Sequence, residues 1–444
     1  MTSPFTQDMK HPTIRRRALV VGAALSAGAL VLTACGSGGD GGGGDADGPV
    51  DLRMVMWSAN EGHHAIFEEI ADAYIEANPD LVSSVTFEPI TGGDYVGALT
   101  TQIAGGDAPD LAWVTEAYAA QFVDAGVFSD VTATFTDTSG YEFDDLLPGA
   151  MELWSADDNV YGYPFSNSPF GIYVNSDLLA AAGQPDPREL LASGEWTWDA
   201  VLEIAGATAE SQGVAGFQAP ADPYTQWNDA LGAMWLSWGA APWSEDGTQC
   251  TMSSPEMVEF FDWFHTQVFD NGAVPGPGEE FDFASGQVAV RMSQLSASTA
   301  LGEDFAWDFL PLPEGPAGTV PVVGQGGVGV VSQGDNPEIA ADFLAYFTNP
   351  ESSELLAQYF PPPRASLLNV ETLSAAAPAL TEEQIQGTVI DQALDAVTKV
   401  GHPKMSEIND PVRVDLDALW VPDGDAQTVL DQVCATLEPI IAGS

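Results

Sequence analysis

DLRMVMWSANEGHHAIFEEIADAYIEANPD, residues 51–80, changes its hydrophobic period partway along. Leu52 to Trp57 is a short run with few polar breaks, which reads as a strand. From Gly62 to Asn78 apolar residues recur at helical spacing, at Ile66, Ile70, Ala73 and Ala77. The same exchange follows downstream. Val85–Ile90 reads as a strand, Tyr95–Ile103 as a helix and Asp110–Val114 as a short strand. Strands that alternate with helices predict parallel α/β packing.

Later helices announce themselves by their first residues. Ser254-Pro255-Glu256, Asn336-Pro337-Glu338 and Asn349-Pro350-Glu351 each set a side-chain acceptor before a proline. Proline costs nothing at the first helical position, where its missing N–H has no partner anyway. Met257, Phe260, Phe261, Phe264 and Val268 then form an apolar stripe that reads as core.

The chain opens with a different kind of segment. Lys10 and Arg15–Arg17 precede an apolar, small-residue stretch from Ala18 to Ala34, the layout of a secretory signal peptide over residues 1–34. Leu32-Thr33-Ala34-Cys35 resembles a bacterial lipobox, which implies acylation of Cys35 and cleavage before it. Arg16-Arg17 also fits a loose twin-arginine pattern, so the export route stays open. Residues 35–49 are rich in Gly and Asp and read as a flexible tether.

Without residues 1–34 the chain keeps 64 acidic and 7 basic residues, a formal charge of −57. Only Lys399 and Lys404 remain as lysines. That balance argues against nucleic acid or an anionic lipid surface as a partner. Beyond Cys35 there are only Cys250 and Cys434. In an oxidising compartment two cysteines favour a single disulfide, and they lack the spacing of a metal site.

Five segments, taken in order, resemble a known family: AGGDAPDLAWV (104–114), YGYPFSNSPFGIYVNSDLL (161–179), FASGQVAVRMS (283–293), FLPLPEGPAG (309–318) and AADFLAYFTNPE (340–351). They are similar to the extracellular solute-binding proteins of family 1, the maltose-binding-protein-like sugar receptors of ABC importers. The resemblance implies a two-lobe α/β fold of the periplasmic-binding-protein type II class, with the ligand cleft between lobes and several hinge crossings. The crossings are expected at 163–168, at 310–315 and near 360–363, where proline cannot continue a helix. Lobe one would then comprise 50–164 with 312–359, and lobe two 165–311 with 360–444. Cys250 and Cys434 fall in the same lobe, as a disulfide requires.

Sugar recognition calls for flat apolar faces ringed by a few polar groups. In open α/β sheets ligands lie beyond the carboxyl ends of strands. Trp57 and Glu61 follow the first strand, Trp113 and Glu116 the third, and Asn167 and Ser168 the first crossing. Trp227 lies where members of the resembled family stack a sugar ring. Trp235 and Trp238 share a helix face, so one of them is expected in the cleft and the other in the core. GQGGVG (324–329) matches a dinucleotide fingerprint by letter, but no helix starts after it. In the resembled family such a loop faces the cleft, which makes Gln325, Gly326 and Gly327 candidates. Arg364 offers a planar fork of donors to a sugar diol or carboxylate, with an internal salt bridge as the alternative. His63 and His64 diverge on a helix and suit no metal.

The expectation is therefore a monomeric, surface-anchored receptor outside the cell membrane. It would bind a sugar without a cofactor or metal and deliver it to ABC permease subunits. Alternatives are a secreted carbohydrate-active enzyme, or a receptor for a polyamine or peptide. No G-x-S-x-G, H-E-x-x-H or Walker-type motif occurs. The dense negative charge yields a physical prediction: the melting temperature rises from low to molar salt, because screening relieves carboxylate repulsion. A flat response in a thermal melt series would refute it.

Overall fold

The computed structural model describes residues 48–91 and 94–442. The signal peptide, Cys35 and the tether up to Asp47 lie outside the described residues. From Val50 the alternation runs β1 (Val50–Met56), α1 (Glu61–Ala77), β2 (Val82–Pro89), α2 (Tyr95–Ala104), β3 (Leu111–Thr115) and α3 (Glu116–Asp124). β1 pairs in parallel with both β2 and β3.

Asn60 starts α1 by accepting the Gly62 and His63 N–H groups. The helix buries Ile66, Phe67, Ile70, Ala71 and Tyr74, whereas Ala73 and Ala77 face solvent. The expected stripe is thus rotated. The large rings of Phe67 and Tyr74 remove far more apolar surface from water than two methyl groups, so they set which face turns inward.

Two strands then hold the molecule together. β4 (Tyr163–Asn175) is 13 residues long. Further on come β5 (Ala215–Gln218), β6 (Val288–Gln294), β7 (Trp307–Pro311), β8 (Val322–Val330) and β9 (Val397–Thr398). The first part of β4 pairs antiparallel with β8, and its second part pairs with β6 and β7. β8 pairs antiparallel with β3 through its own second half, and its first residues meet β9 in parallel. The sheet order is β2-β1-β3-β8-β4-β6-β5.

The apolar clusters follow the same division. One face of the first lobe gathers residues between Leu52 and Phe165 with others between Val328 and Phe360. The second lobe gathers Phe170 through Leu312, Val322, and Met405 through Ile441. Helices α4 (Trp227–Trp235), α5 (Pro255–Phe269), α6 (Pro337–Phe347), α7 (Met405–Leu416) and α8 (Ala426–Ile441) cover these cores. The α5 stripe is fully buried, and Ser254 caps it by accepting the Met257 N–H.

The crossing expected at 163–168 lies close to that place, within β4, whereas the one expected at 310–315 is displaced. Leu310 and Leu312 both belong to the second core, so the chain does not change lobes at 310–315. It changes within β8, between Val322 in the second core and Val328 in the first. β4 makes the other change, between Phe165 and Phe170. Continuous strands carry these crossings, and their ladders pair backbone groups on both sides of the change. Phe360 also stays with the first core.

Cys250 and Cys434 form a disulfide that fastens the loop before α5 to α8. Separated by 184 residues, they close a large loop. Replacing Cys434 with Ser should cost about 2–4 kcal/mol of unfolding free energy. Denaturant melts of the variant, and of the native chain with reductant, should show the same loss. An unshifted midpoint in both would refute it.

Candidate functional site

Two pairs of parallel strands, one from each lobe, end at one place between the lobes. β1 leads into Trp57 and Asn60, and β3 into Thr115 and Glu116. From the second lobe β5 leads to Pro220 and Ala221, and β6 ends at Ser293 and Gln294. Together they line a cavity of about 440 Å³. A neighbouring cavity of about 650 Å³ shares Trp57, Thr115 and Asp229 with it and extends towards α2 and α7. The location agrees with the general rule for ligand sites at the carboxyl ends of strands.

Trp57 is the aromatic platform of this cleft. Trp113 and Tyr95 meet it edge-on at 5.0 and 5.6 Å between ring centres. Trp113 itself is fully buried and lies 4.1 Å from Phe165. It props Trp57 from below and does not reach the cavity wall. The Tyr95 hydroxyl donates to the carbonyls of Val55 and Trp113, tying α2 to β1 and β3.

An ion cluster around the buried Lys399 and Glu116 closes the floor. Lys399 Nζ lies 2.9 Å from Glu116 in the first lobe and 3.4 Å from Asp229 in the second. Burial alone would lower the Lys399 pKa, but the two carboxylates outweigh it and hold the value above the usual one. Glycine makes the placement possible. A Cβ at Gly401 would lie 2.8 Å from the Glu116 carbonyl, so only glycine lets this segment run against the start of α3. Glu116 also accepts the Gln325 N–H at 3.2 Å. Lys399 and Asp229 were missed by sequence reading. The available signal was scarcity: in so acidic a chain, one of only two lysines beyond residue 34, two residues before a glycine, is worth locating.

The other candidates divide. Gly326 lines the cavity next to Trp57. The Gln325 side chain turns inward, accepting from Trp154 Nε1 and donating to Asn167 Oδ1 and the Ala150 carbonyl. Asn167 is thereby used internally, and the Ser168 hydroxyl accepts the Ser296 N–H. Gly327 faces away from the cleft, because a Cβ there would enter the Trp154 ring. Glu61 stands on the outer surface at the start of α1, with His64 and Glu68. His63 lines the cleft, its Nδ1 2.8 Å from Ser58 Oγ. Burial, then the neighbouring His64, lowers its pKa to about 4.

Three expectations are corrected outright. Trp227 and Trp235 are packed against each other at 6.0 Å in the second core, both essentially without exposure. The four tryptophans close in sequence at 227–243 are buried, because α4 must cover that core. Arg364 is fully buried as well. Its donors go to Ser353 Oγ and to the carbonyls of Glu142 and Thr348, and its guanidinium lies over the Tyr141 ring at 4.9 Å. The fork therefore ties chain segments of the first lobe together. Trp227→Ala should accordingly destabilise the fold by about 3–5 kcal/mol. Chemical denaturation measures this, and a variant of native stability would refute the core assignment.

The cleft thus offers the partly exposed Trp57 face with further aromatic rings around it, hydroxyl and amide groups at strand ends, and the Glu116 and Asp229 carboxylates held by one lysine. Comparison with known proteins fits this geometry. A Brucella abortus chain named as a binding protein is 25% identical over 286 residues, covering 61% of this chain and 64% of that one. The chain therefore spans under two thirds of the length of that relative. The arabinooligosaccharide-binding protein of Halalkalibacterium halodurans is 24% identical over 320 residues, 68% of each chain. Among solved structures, an ABC substrate-binding protein from Listeria monocytogenes in complex with cycloalternan superposes with a TM-score of 0.75 at 22% identity, covering 88% of this chain and 99% of that one. The sequence profile of the bacterial extracellular solute-binding proteins matches residues 69–382, most of the chain, and the chain belongs to that family.

Proposed function

We propose that the protein is a sugar or oligosaccharide receptor that hands its ligand to an ABC importer. The observation that carries this reading is the Trp57 platform at the meeting point of four strand ends, with Glu116 beside it. An indole face accepts the C–H side of a pyranose, while carboxylate and amide groups accept and donate to its hydroxyls. The names of the arabinooligosaccharide-binding and cycloalternan-bound relatives support the same class of ligand.

Residues 50–165 with 328–366 act as one lobe, and residues 170–322 with 368–441 as the other. The lobes close about β4 and β8, and the closed form docks on the permease. Closure follows ligand binding only if the ligand contacts the closed form better than the open one. Cys35 carries the lipid anchor and residues 35–49 give the domain its reach from the membrane surface. A lipoprotein of Streptomyces antibioticus, 28% identical over 178 residues, supports the anchor. The receptor acts as a monomer. Catalysis is not part of the role, since Glu116 and Asp229 are both held by Lys399 and act as acceptors.

Calorimetric titration with neutral oligosaccharides should find a ligand. Trp57→Ala should then weaken its binding by about tenfold or more, equal to ~1.4 kcal/mol. Unaltered affinity in a folded variant would remove Trp57 from the site. Chromatography of the incubated sugars should show no cleavage, and turnover would favour the enzyme reading.

A further inference from the structure

The larger cavity carries three carboxylates that a neutral sugar does not require. Asp94 comes from the start of α2, Asp229 from α4 and Asp410 from α7, so three separate elements converge. Tyr118 stands among them. Its hydroxyl pKa rises to about 12, first through burial and then through Asp229, Asp94 and Asp410. The cations in reach do not balance this set. Lys399 is shared between Asp229 and Glu116, and Arg413 lies 3.8 Å from both Asp410 and Asp417. Among the described residues the Asp94 carboxylate accepts the Gly97 N–H and meets no cation.

A second observation is independent of charge. Asn228 lines the same cavity and is 3% exposed. Neither its Oδ1 nor its Nδ2 has a partner among the described residues. A buried amide is costly to leave unpaired, and a polar ligand entering this cavity would supply what the protein does not.

We propose that this cavity receives a positively charged group carried by the sugar, an ammonium on an amino-sugar unit, held between Asp94, Asp229 and Asp410 beside the Trp57 and Tyr118 rings. The inference rests on the sugar reading and narrows it. A desolvated ammonium needs both opposite charge and hydrogen-bond acceptors, and aromatic faces add attraction for a cation. Asn228 would bond a neighbouring hydroxyl.

Three sugars of one shape separate charge from size: glucosamine, N-acetylglucosamine and glucose, each also as its β-1,4-linked disaccharide. Titrations at low salt, below the pKa of the amine, should show the charged member binding at least tenfold tighter than its acetylated and hydroxyl counterparts. The ratio should shrink in molar sodium chloride. Asp229→Asn and Asp410→Asn should each reduce it. The Asp410 side chain is 85% exposed, so that variant reads the effect even if Asp229→Asn fails to fold. Neutral sugars binding as tightly as charged ones would overturn the inference and leave the sugar reading intact. Spermidine binding with no sugar binding would overturn both. If none of these probes bound, the inference would fall, and the neutral oligosaccharide titration would decide the sugar reading separately.

Discussion

Every feature of this molecule is arranged around the antiparallel ladder between Tyr163–Asn175 and Val322–Val330. Its backbone groups are paired on both sides: with Leu111–Thr115 in one lobe, and with Val288–Gln294 and Trp307–Pro311 in the other. A strand that belongs to two sheets can twist, but it cannot be displaced without losing hydrogen bonds in both. The two lobes therefore have a fixed common edge. The parallel strands on either side of that edge end facing one another, which creates the cleft before any ligand chemistry is considered.

Side chains reinforce the edge from both directions. Gln325 and Asn167 bond across the ladder, and Trp154 packs onto Gly327 while donating to Gln325. These groups look like binding residues when seen as letters, since amides and tryptophan are what a sugar site uses. Here their hydrogen bonds are internal, and they determine how Glu116 and Trp57 are presented. Lys399 performs a related task from the opposite wall. It is attached to both lobes through carboxylates, so relative movement of the lobes stretches either the buried pair with Glu116 or the half-exposed pair with Asp229. Breaking a buried pair on one side leaves an uncompensated charge, which is costly.

The legible part of the fold was the local part. The exchange of periods between residues 51 and 114 located three strands and two helices to within a few residues, because burial on one face imposes its spacing directly on the chain. The cap-and-proline starts of the later helices were readable for the same reason, though Asn336 makes no side-chain cap bond. The crossing expected at 310–315 was misplaced because proline is a local mark, whereas a crossing is set by which distant strand supplies the ladder. Trp57 and Trp227 illustrate the limit at the site. Each is a tryptophan at the edge of a regular element, yet one is partly exposed in the cleft and the other has no exposure. Nothing local distinguishes them; the decision belongs to the helix face that must cover the second core. Asp229, two residues from Trp227, reached the cleft from that same helix.

The interleaving of the two cores has a consequence for how the chain is made. The first core takes in residues up to Phe165 and resumes only at Val328, and the second closes only with α8. A chain that emerges from the ribosome N-terminus first cannot finish either lobe early. The usual order, in which an N-terminal domain completes itself while the remainder is synthesised, is closed to it. Half-built cores and long-range pairings keep contact order high and folding slow. Until its last helix is available, neither core is closed, and the chain has no finished lobe on which the rest could be built.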